Sequence, residues 1–170
     1  MAKKTKQPAA KITAQKITPF LWFSKDAELA VDHYTSVFKK SKVGNVAYYT
    51  EGTPGKPGSI MTIDFTLEGQ QFTALNGGKY FTFNDSISFV VHCKNQDEID
   101  YYWDNLSVGG KKVQCGWLKD KFGVSWQVVP AILPQLISGD QEKATRVMKA
   151  LMKMKKLDIE KLKKAAEGVT

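Results

Sequence analysis

The side chains most able to do chemistry are few in this sequence and form no recognisable catalytic pattern. His33 and His92 are the two histidines, and Cys93 and Cys115 are the two cysteines. Metal sites and activated nucleophiles need such groups at set spacings, as in CxxC or HExxH. Neither spacing occurs, and the sequence contains no GxSxG motif and no phosphate-binding loop. The residues therefore predict no metal site and identify no catalytic nucleophile.

Asp120 is the acidic residue of the most distinctive turn, Asp120-Lys-Phe-Gly123. A carboxylate that opens a turn can accept hydrogen bonds from backbone N–H groups a few residues further on. We interpret Asp120 as a structural residue rather than a general base. His33 is expected to pack on a helix, and His92, near the end of a strand, is interpreted as structural because it has no partner.

The elements that would position a site occur in two similar series. Runs rich in β-branched and aromatic residues predict strands, and apolar residues three and four apart predict amphipathic helices. The first series is strand 17–24, helix 27–38 and strands 43–50, 59–67 and 71–75, with a hairpin at Glu68-Gly69; the second is strand 86–93, helix 96–106 and strands 113–118 and 124–129. The second series thus lacks one clear strand, and 113–119 is interpreted as a longer or bent element.

A weak internal repeat supports the prediction of two similar series. At an offset of 69 residues, Phe20 aligns with Phe89, Ala30 with Ile99, Tyr34 with Trp103 and Val37 with Leu106. The fold class is therefore α+β, with two βαβββ modules.

A helical extension follows the second module. A short helix is predicted at 132–137, Asp140 is a predicted N-cap of a helix carrying Val147, Leu151 and Met154 on one side, and Asp158 is predicted to cap a last helix. The predicted domains are a disordered basic tail at 1–15, a domain at 16–137 with modules 16–78 and 86–130, and the extension at 138–170.

The formal net charge of +8 is concentrated at the two ends of the chain. Residues 1–16 carry five lysines and no acid, residues 140–170 carry nine basic and five acidic residues, and the middle is almost neutral. A nucleic-acid partner is not expected, because such proteins carry a basic stripe on the folded surface. No apolar run approaches the roughly 20 residues of a membrane span. With no export signal and two cysteines expected to be reduced, a cytoplasmic location is predicted.

The duplicated modules resemble the glyoxalase/vicinal oxygen chelate superfamily, and most closely its PhnB-like branch, labelled 3-demethylubiquinone-9 3-methyltransferase. The resemblance spans roughly residues 17–167, and its clearest motif is the turn Asp120-Lys-Phe-Gly-Val-Ser-Trp126; further matching segments are 18–23, 27–34, 98–103 and 146–156. It implies that each module curls into a cupped mixed sheet, and that the protein is a homodimer.

Metal-dependent members of this superfamily hold a divalent ion with His or Glu on the first and last strands of each module. At the matching positions this chain offers Thr73, Asn76, Ser88 and Gln127, with Gln127 where the family's Glu would lie. Neutral amides and hydroxyls are weak ligands for such an ion, so no metal and no other cofactor is expected. The candidate ligand-binding residues are Gln127, Ser125, Ser88, Thr73, Asn76 and Trp117.

The methyltransferase label predicts S-adenosylmethionine, whose common binding motif is a glycine-rich loop between a strand and a helix. Neither Gly77-Gly78 nor Gly109-Gly110 fits that motif, so the sequence does not support the label and leaves open whether the protein is an enzyme. Three functions remain: metal-free binding of a small organic molecule, a superfamily lyase, isomerase or dioxygenase with an unrecognised metal or base, and a homomeric interaction protein. The first is preferred.

Overall fold

The structure is a computed structural model that describes residues 15–169. The predicted tail at 1–15 lies almost entirely outside the described residues. In chain order the elements are β1 (Phe20–Phe23), α1 (Ala27–Val37), β2 (Ser41–Tyr48), β3 (Ile60–Leu67), β4 (Gln70–Asn76), β5 (Phe89–Cys93), α2 (Gln96–Leu106), β6 (Lys111–Lys112), β7 (Trp117–Lys119), β8 (Ser125–Pro130), α3 (Leu133–Ile137), α4 (Gln141–Leu151) and α5 (Ile159–Glu167). The α+β fold class is confirmed, with two βαβββ modules and a helical extension.

Each module forms one four-stranded mixed sheet. The first sheet has the order β1-β4-β3-β2 and the second has the order β5-β8-β7-β6. In each, the first and last strands of the module pair in parallel while the other pairs are antiparallel. The hairpin at Glu68-Gly69 is confirmed, with φ of 47° and 90°. Positive φ at both turn residues matches the right-handed twist of the flanking strands.

The strand that the sequence left undetermined is β6. It contains only Lys111 and Lys112, which pair with Lys119 and Leu118 of β7. Two lysines carry neither β-propensity nor apolar alternation, so this strand gives no sequence signal. The segment 113–116 after it is irregular, which explains why one long element was expected there.

One apolar core joins the two modules. Successive strand residues point to opposite faces of a sheet, so residues two apart share a face. The buried set includes two such pairs, Phe72 and Ala74 on β4 and Trp126 and Val128 on β8. These inward residues belong to a single cluster that spans both halves of the chain. We call the sheet faces that point away from this core the outer faces.

Asp120 lies at the junction of the modules and is 3% exposed. Its Oδ2 accepts hydrogen bonds from Tyr34 Oη at 2.7 Å and from Trp126 Nε1 at 2.8 Å. Its Oδ1 accepts from the backbone N–H groups of Phe122 and Val124 at 2.9 and 3.0 Å. The structural interpretation of Asp120 is confirmed, and the bond to Tyr34 adds a link between modules that the sequence did not show.

The extension has a small core of its own, in which five buried residues pack together: Val129, Val147, Leu151, Leu157 and Leu162. Asp140 and Asp158 are N-caps as predicted, each accepting a hydrogen bond from the N–H three residues ahead. The prediction that Met154 continues the helix begun at Asp140 is wrong, because α4 ends at Leu151. None of the helices within residues 15–169 is long and apolar enough to cross a membrane.

The segment between α4 and α5 fastens the extension to the second module. The backbone N–H groups of Cys115 and Gly116 donate to the carbonyls of Met154 and Lys155, both at 2.8 Å. The side chain of Gln96, in the first turn of α2, bonds to the backbone at Leu157 and Ile159. Because Gly116 has a φ of 80°, its backbone can take part in these bonds without the strain a side chain would add.

Candidate functional site

The two outer faces each point away from the shared core. The inward residues of the two sheets meet directly, with the ring centroids of Phe72 and Phe89 5.2 Å apart. Tyr34 of α1 also packs against Trp126 of β8, with centroids 5.4 Å apart. Thr73 and Gln127, which alternate with these residues, therefore point away from the core on separate sheets. Within one copy, the six candidate residues do not surround a common cavity.

Gln127 lies at the centre of an outward-facing row on the second sheet. Its cross-strand neighbours are Trp117 on β7 and Val90 on β5. Its Nε2 donates a hydrogen bond to Ser88 Oγ at 2.9 Å. The structure thus brings together three candidates, Gln127, Ser88 and Trp117, and adds Val90, which is 44% exposed. We call these four residues the Gln127 row.

The ion pair between Lys119 and Asp85 closes one end of the row. Ser125, a fourth candidate, is buried and donates from Oγ to Asp85 Oδ1 at 2.8 Å. Lys119 forms an ion pair with the same oxygen at 2.7 Å. The hydrogen bonds from Lys119 and Ser125 hold the pKa of Asp85 below its usual value. Ser125 therefore serves the rim of the site, because its hydroxyl is already committed to Asp85.

The extension closes the other end. Val129 follows Gln127 by two residues and faces the same side of β8, but it is only 7% exposed because it packs into the extension's core. Its neighbour in register, His92 on β5, remains exposed. The open part of the second outer face thus consists of the Gln127 row and His92 beside it.

The outer face of the first sheet carries Thr73 together with a carboxylate that the sequence reasoning missed. Thr73 Oγ1 donates to Asp64 Oδ1 at 2.8 Å, and the two residues are directly opposite on β4 and β3. Asp64 alternates with the buried Ile63 and Phe65, so strand parity in β3 could have indicated its direction.

Asn76 does not share a face with Thr73. They are three positions apart, an odd number, and Asn76 lies on the helix side of β4. Its Oδ1 accepts from Ala27 N–H at 3.0 Å, and its Nδ2 donates to Glu28 and to the carbonyl of Ile60. These contacts fix the start of α1.

A cavity of about 630 Å³ opens beside Asn76, bordered by Lys25, Lys79 and Tyr80 among others, away from the Gln127 row.

Cys93 and His33 have packing roles. Burial raises the pKa of Cys93 to about 12, which leaves its thiol protonated and unreactive. Burial lowers the pKa of His33, and Lys121 adds to the effect. His33 packs against the ring of Phe122, with centroids 5.9 Å apart. Neither residue lies in the Gln127 row.

The donor set of the Gln127 row does not fit a divalent ion. The row offers an amide and a hydroxyl, which lack the charge and donor strength of a Glu and His set. Among residues 15–169, no group of three or more His, Cys, Asp or Glu side chains is placed to hold a metal.

The glycines do not fit S-adenosylmethionine binding either. A Cβ on Gly77 would lie 2.2 Å from the Trp22 ring, so this glycine permits close packing of an aromatic side chain. Gly109 follows α2 with a φ of 70°, which is typical of a helix end. Both glycines are explained by local structure.

Comparisons with known proteins place residues 15–129 in a family described as 3-demethylubiquinone-9 3-methyltransferase. A solved structure of a putative 3-demethylubiquinone-9 3-methyltransferase, PhnB protein, from Bacillus cereus is 38% identical, covering 69% of this chain and all of that one, with a TM-score of 0.63. A Staphylococcus aureus protein is 31% identical over 69% of this chain and 97% of that one, with a TM-score of 0.31.

Protein PA1353 from Pseudomonas aeruginosa shares the fold at 18% identity, covering 68% of this chain and 96% of that one, with a TM-score of 0.56. No curated protein matches the chain. The family match ends at residue 129, so α3, α4 and α5 lie beyond it. On the matched residues and the paired βαβββ modules, this chain belongs to the PhnB-like 3-demethylubiquinone-9 3-methyltransferase family of the glyoxalase/vicinal oxygen chelate superfamily.

Proposed function

We propose that this protein binds a small organic molecule on the Gln127 row, without a metal ion. The observation that carries the proposal is the row itself: an outward-facing amide lies between an indole and an aliphatic side chain, with a hydroxyl beside it. Apolar walls with a few placed polar groups are the usual composition of small-molecule sites. Gln127 and Ser88 supply hydrogen bonds, and Trp117 and Val90 supply apolar contact.

Ligand retention tests this function. Native mass spectrometry of the purified protein is expected to show an organic adduct of a few hundred daltons, and Trp117→Ala is expected to lose it. Tyr80→Ala is the matched control, because Tyr80 is an exposed aromatic residue beside the separate cavity. Loss of the adduct in Tyr80→Ala rather than Trp117→Ala would place the ligand in that cavity and contradict the proposal. Elemental analysis of protein purified without chelator should find no stoichiometric divalent metal.

The site is completed, in this proposal, by a second copy of the chain. β1 and β5 are edge strands of their sheets, and each exposes apolar side chains near its free edge: Ile17 and Phe20 for β1, Ile87 and Val90 for β5. Such edges favour pairing with another sheet. A homodimer in which β1 of one copy lies beside β5 of the other would bring a first and a second outer face together as one cup.

Changing the β1 edge is expected to dissociate this dimer. Phe20 is 57% exposed, so Phe20→Lys removes apolar contact and adds charge at the edge with little cost to the monomer. Light scattering after size exclusion should show a dimer for the wild type and a monomer for Phe20→Lys at micromolar concentration. Tyr48→Lys, at a 54% exposed aromatic residue on the opposite edge strand, should remain dimeric. A monomeric wild type, or equal dissociation by both variants, would refute this arrangement.

A further inference from the structure

The hydrogen-bonding groups of the Gln127 row have free capacity on the outward side. One N–H of Gln127 is used by Ser88, which leaves its second N–H, its Oε1 and the Ser88 hydroxyl proton. Among the described residues 15–169, Gln127 Oε1 accepts no hydrogen bond and is not one of the fully buried unpaired atoms, so it keeps some contact with solvent. The row therefore presents one carbonyl acceptor between donors.

The four side chains of the Gln127 row carry no charge. At one end Lys119 is neutralised by Asp85, at an N–O distance of 2.7 Å. At the other end the apolar Val129 is covered by the extension. Within the row, a carboxylate would face the Gln127 carbonyl oxygen and an ammonium group would find no carboxylate. A further ionisable side chain on this face is the exposed His92, two residues beyond Val90 on β5, and the Asp64 carboxylate of the first outer face already accepts from Thr73. Desolvating either charge there is unfavourable.

We propose that the ligand group recognised by the Gln127 row is a neutral carboxamide or lactam on a flat molecule. Such a group carries an N–H beside a C=O, so its N–H donates to Gln127 Oε1 while its carbonyl accepts from Ser88 Oγ–H. The attached ring packs on the Trp117 indole, and Val90 contacts its other edge. This inference rests on the proposed function and adds to it the chemical class of the ligand.

A pair of near-isosteric probes, nicotinamide and nicotinate, tests the inference. They share one ring and differ in carrying a neutral amide or a carboxylate. Titrations followed by ¹⁵N NMR of the Trp117 indole N–H and the Gln127 side-chain amide are expected to give at least a tenfold lower Kd for nicotinamide. A site built to pair with an amide rejects analogues that leave its groups unpaired.

Variants show whether Gln127 recognises the ligand. Gln127→Glu keeps the shape but replaces the amide with a charge, so nicotinamide binding should weaken at least tenfold. Gln141→Glu makes the same change on the exposed first residue of α4 and should leave binding unchanged. Ser88→Ala, which removes a hydroxyl without adding charge, should weaken nicotinamide binding as well, and it serves if Gln127→Glu unfolds.

Any of three other experimental outcomes overturns the inference. If nicotinate binds at the row as well as nicotinamide or better, the neutral-amide inference fails while small-molecule binding on the row stands. If neither probe shifts the Trp117 and Gln127 signals, the inference fails and the mass-spectrometric adduct decides the proposed function separately. If both bind but Gln127→Glu and Gln141→Glu behave alike, Gln127 does not recognise the ligand and the inference fails.

Discussion

Replacing Asp120 with alanine is expected to lower the free energy of unfolding by about 3–5 kcal/mol. Removing one partner of a buried charged pair has a cost of about this size. The substitution leaves the Tyr34 hydroxyl and the Trp126 indole N–H in the core without an acceptor. Each unsatisfied buried donor costs about 1–3 kcal/mol. It also removes the acceptor for two N–H groups of the turn after β7.

Urea denaturation followed by circular dichroism measures this effect. Asp32→Ala is the matched control, because Asp32 is exposed on α1, close in sequence to Tyr34, and its change should leave the denaturation midpoint almost unchanged. Tyr34→Phe should cost about 1–2 kcal/mol, since Trp126 still bonds to the carboxylate. A loss below about 1 kcal/mol for Asp120→Ala would show that the core supplies other acceptors to Tyr34 and Trp126.

The bond between Tyr34 and Asp120 also has a spectroscopic consequence. Burial, together with the neighbouring carboxylate, raises the pKa of Tyr34 well above its usual value. The folded state therefore holds this phenolic proton when the unfolded state has lost it. The resulting contribution to stability is complete below the unfolded pKa of about 10 and is lost at higher pH, so Tyr34 should ionise only as the protein unfolds.

Local patterns predicted most of the fold because each signal acts over a few residues. Alternation set the faces of β4 and β8, Glu68-Gly69 set a hairpin, and Asp140 and Asp158 set helix starts. The end of α4 was missed because Met154 keeps the apolar spacing, while the backbone there bonds to Cys115 instead of continuing the helix. Periodicity cannot register a competing tertiary hydrogen bond.

The candidate site was predicted in part for the same reason. Gln127, Ser88 and Trp117 come together because neighbouring strands of one sheet have a fixed register. Thr73 could not be placed relative to them, since the orientation of one module against the other depends on long-range contacts such as Tyr34 with Asp120. Asn76 lies on the other face from Thr73 because an odd number of positions, three, separates the two residues, so strand alternation could have shown this from the sequence.

Replacing Gly116 with alanine is expected to cost about 3 kcal/mol and to loosen the extension. At a φ of 80°, any side chain is strained, at roughly 1 kcal/mol. The new Cβ would also lie 2.6 Å from the Val128 carbonyl oxygen and 3.1 Å from Leu157. Crowding of this kind in a packed region adds about 1–3 kcal/mol. The backbone of Gly116 cannot easily move away, because it bonds to Val128 and Lys155 at 2.8 Å on each side.

Gly139→Ala separates the cost of the positive φ from the cost of crowding around the new Cβ. Gly139 has a similar φ of 83°, but no atom lies within 4 Å of the place its Cβ would take, so its change should cost only the conformational strain of about 1 kcal/mol. Unfolding free energies from urea denaturation give the difference directly. Hydrogen exchange should show faster opening at Cys115 and Gly116 only in Gly116→Ala. Equal costs for both variants would mean that the extension is not fixed at this point.

The Gly116 substitution also tests how the extension limits the site. The extension covers Val129, which lies two residues beyond Gln127 on the same face of β8. If loosening it exposes Val129, the open face of the second sheet lengthens, and the Trp117 indole signal should broaden or shift in Gly116→Ala without any ligand. Gly139→Ala should leave that signal in place. An unchanged Trp117 signal in a measurably loosened Gly116→Ala would show that the Gln127 row is bounded by its own strands and not by the extension.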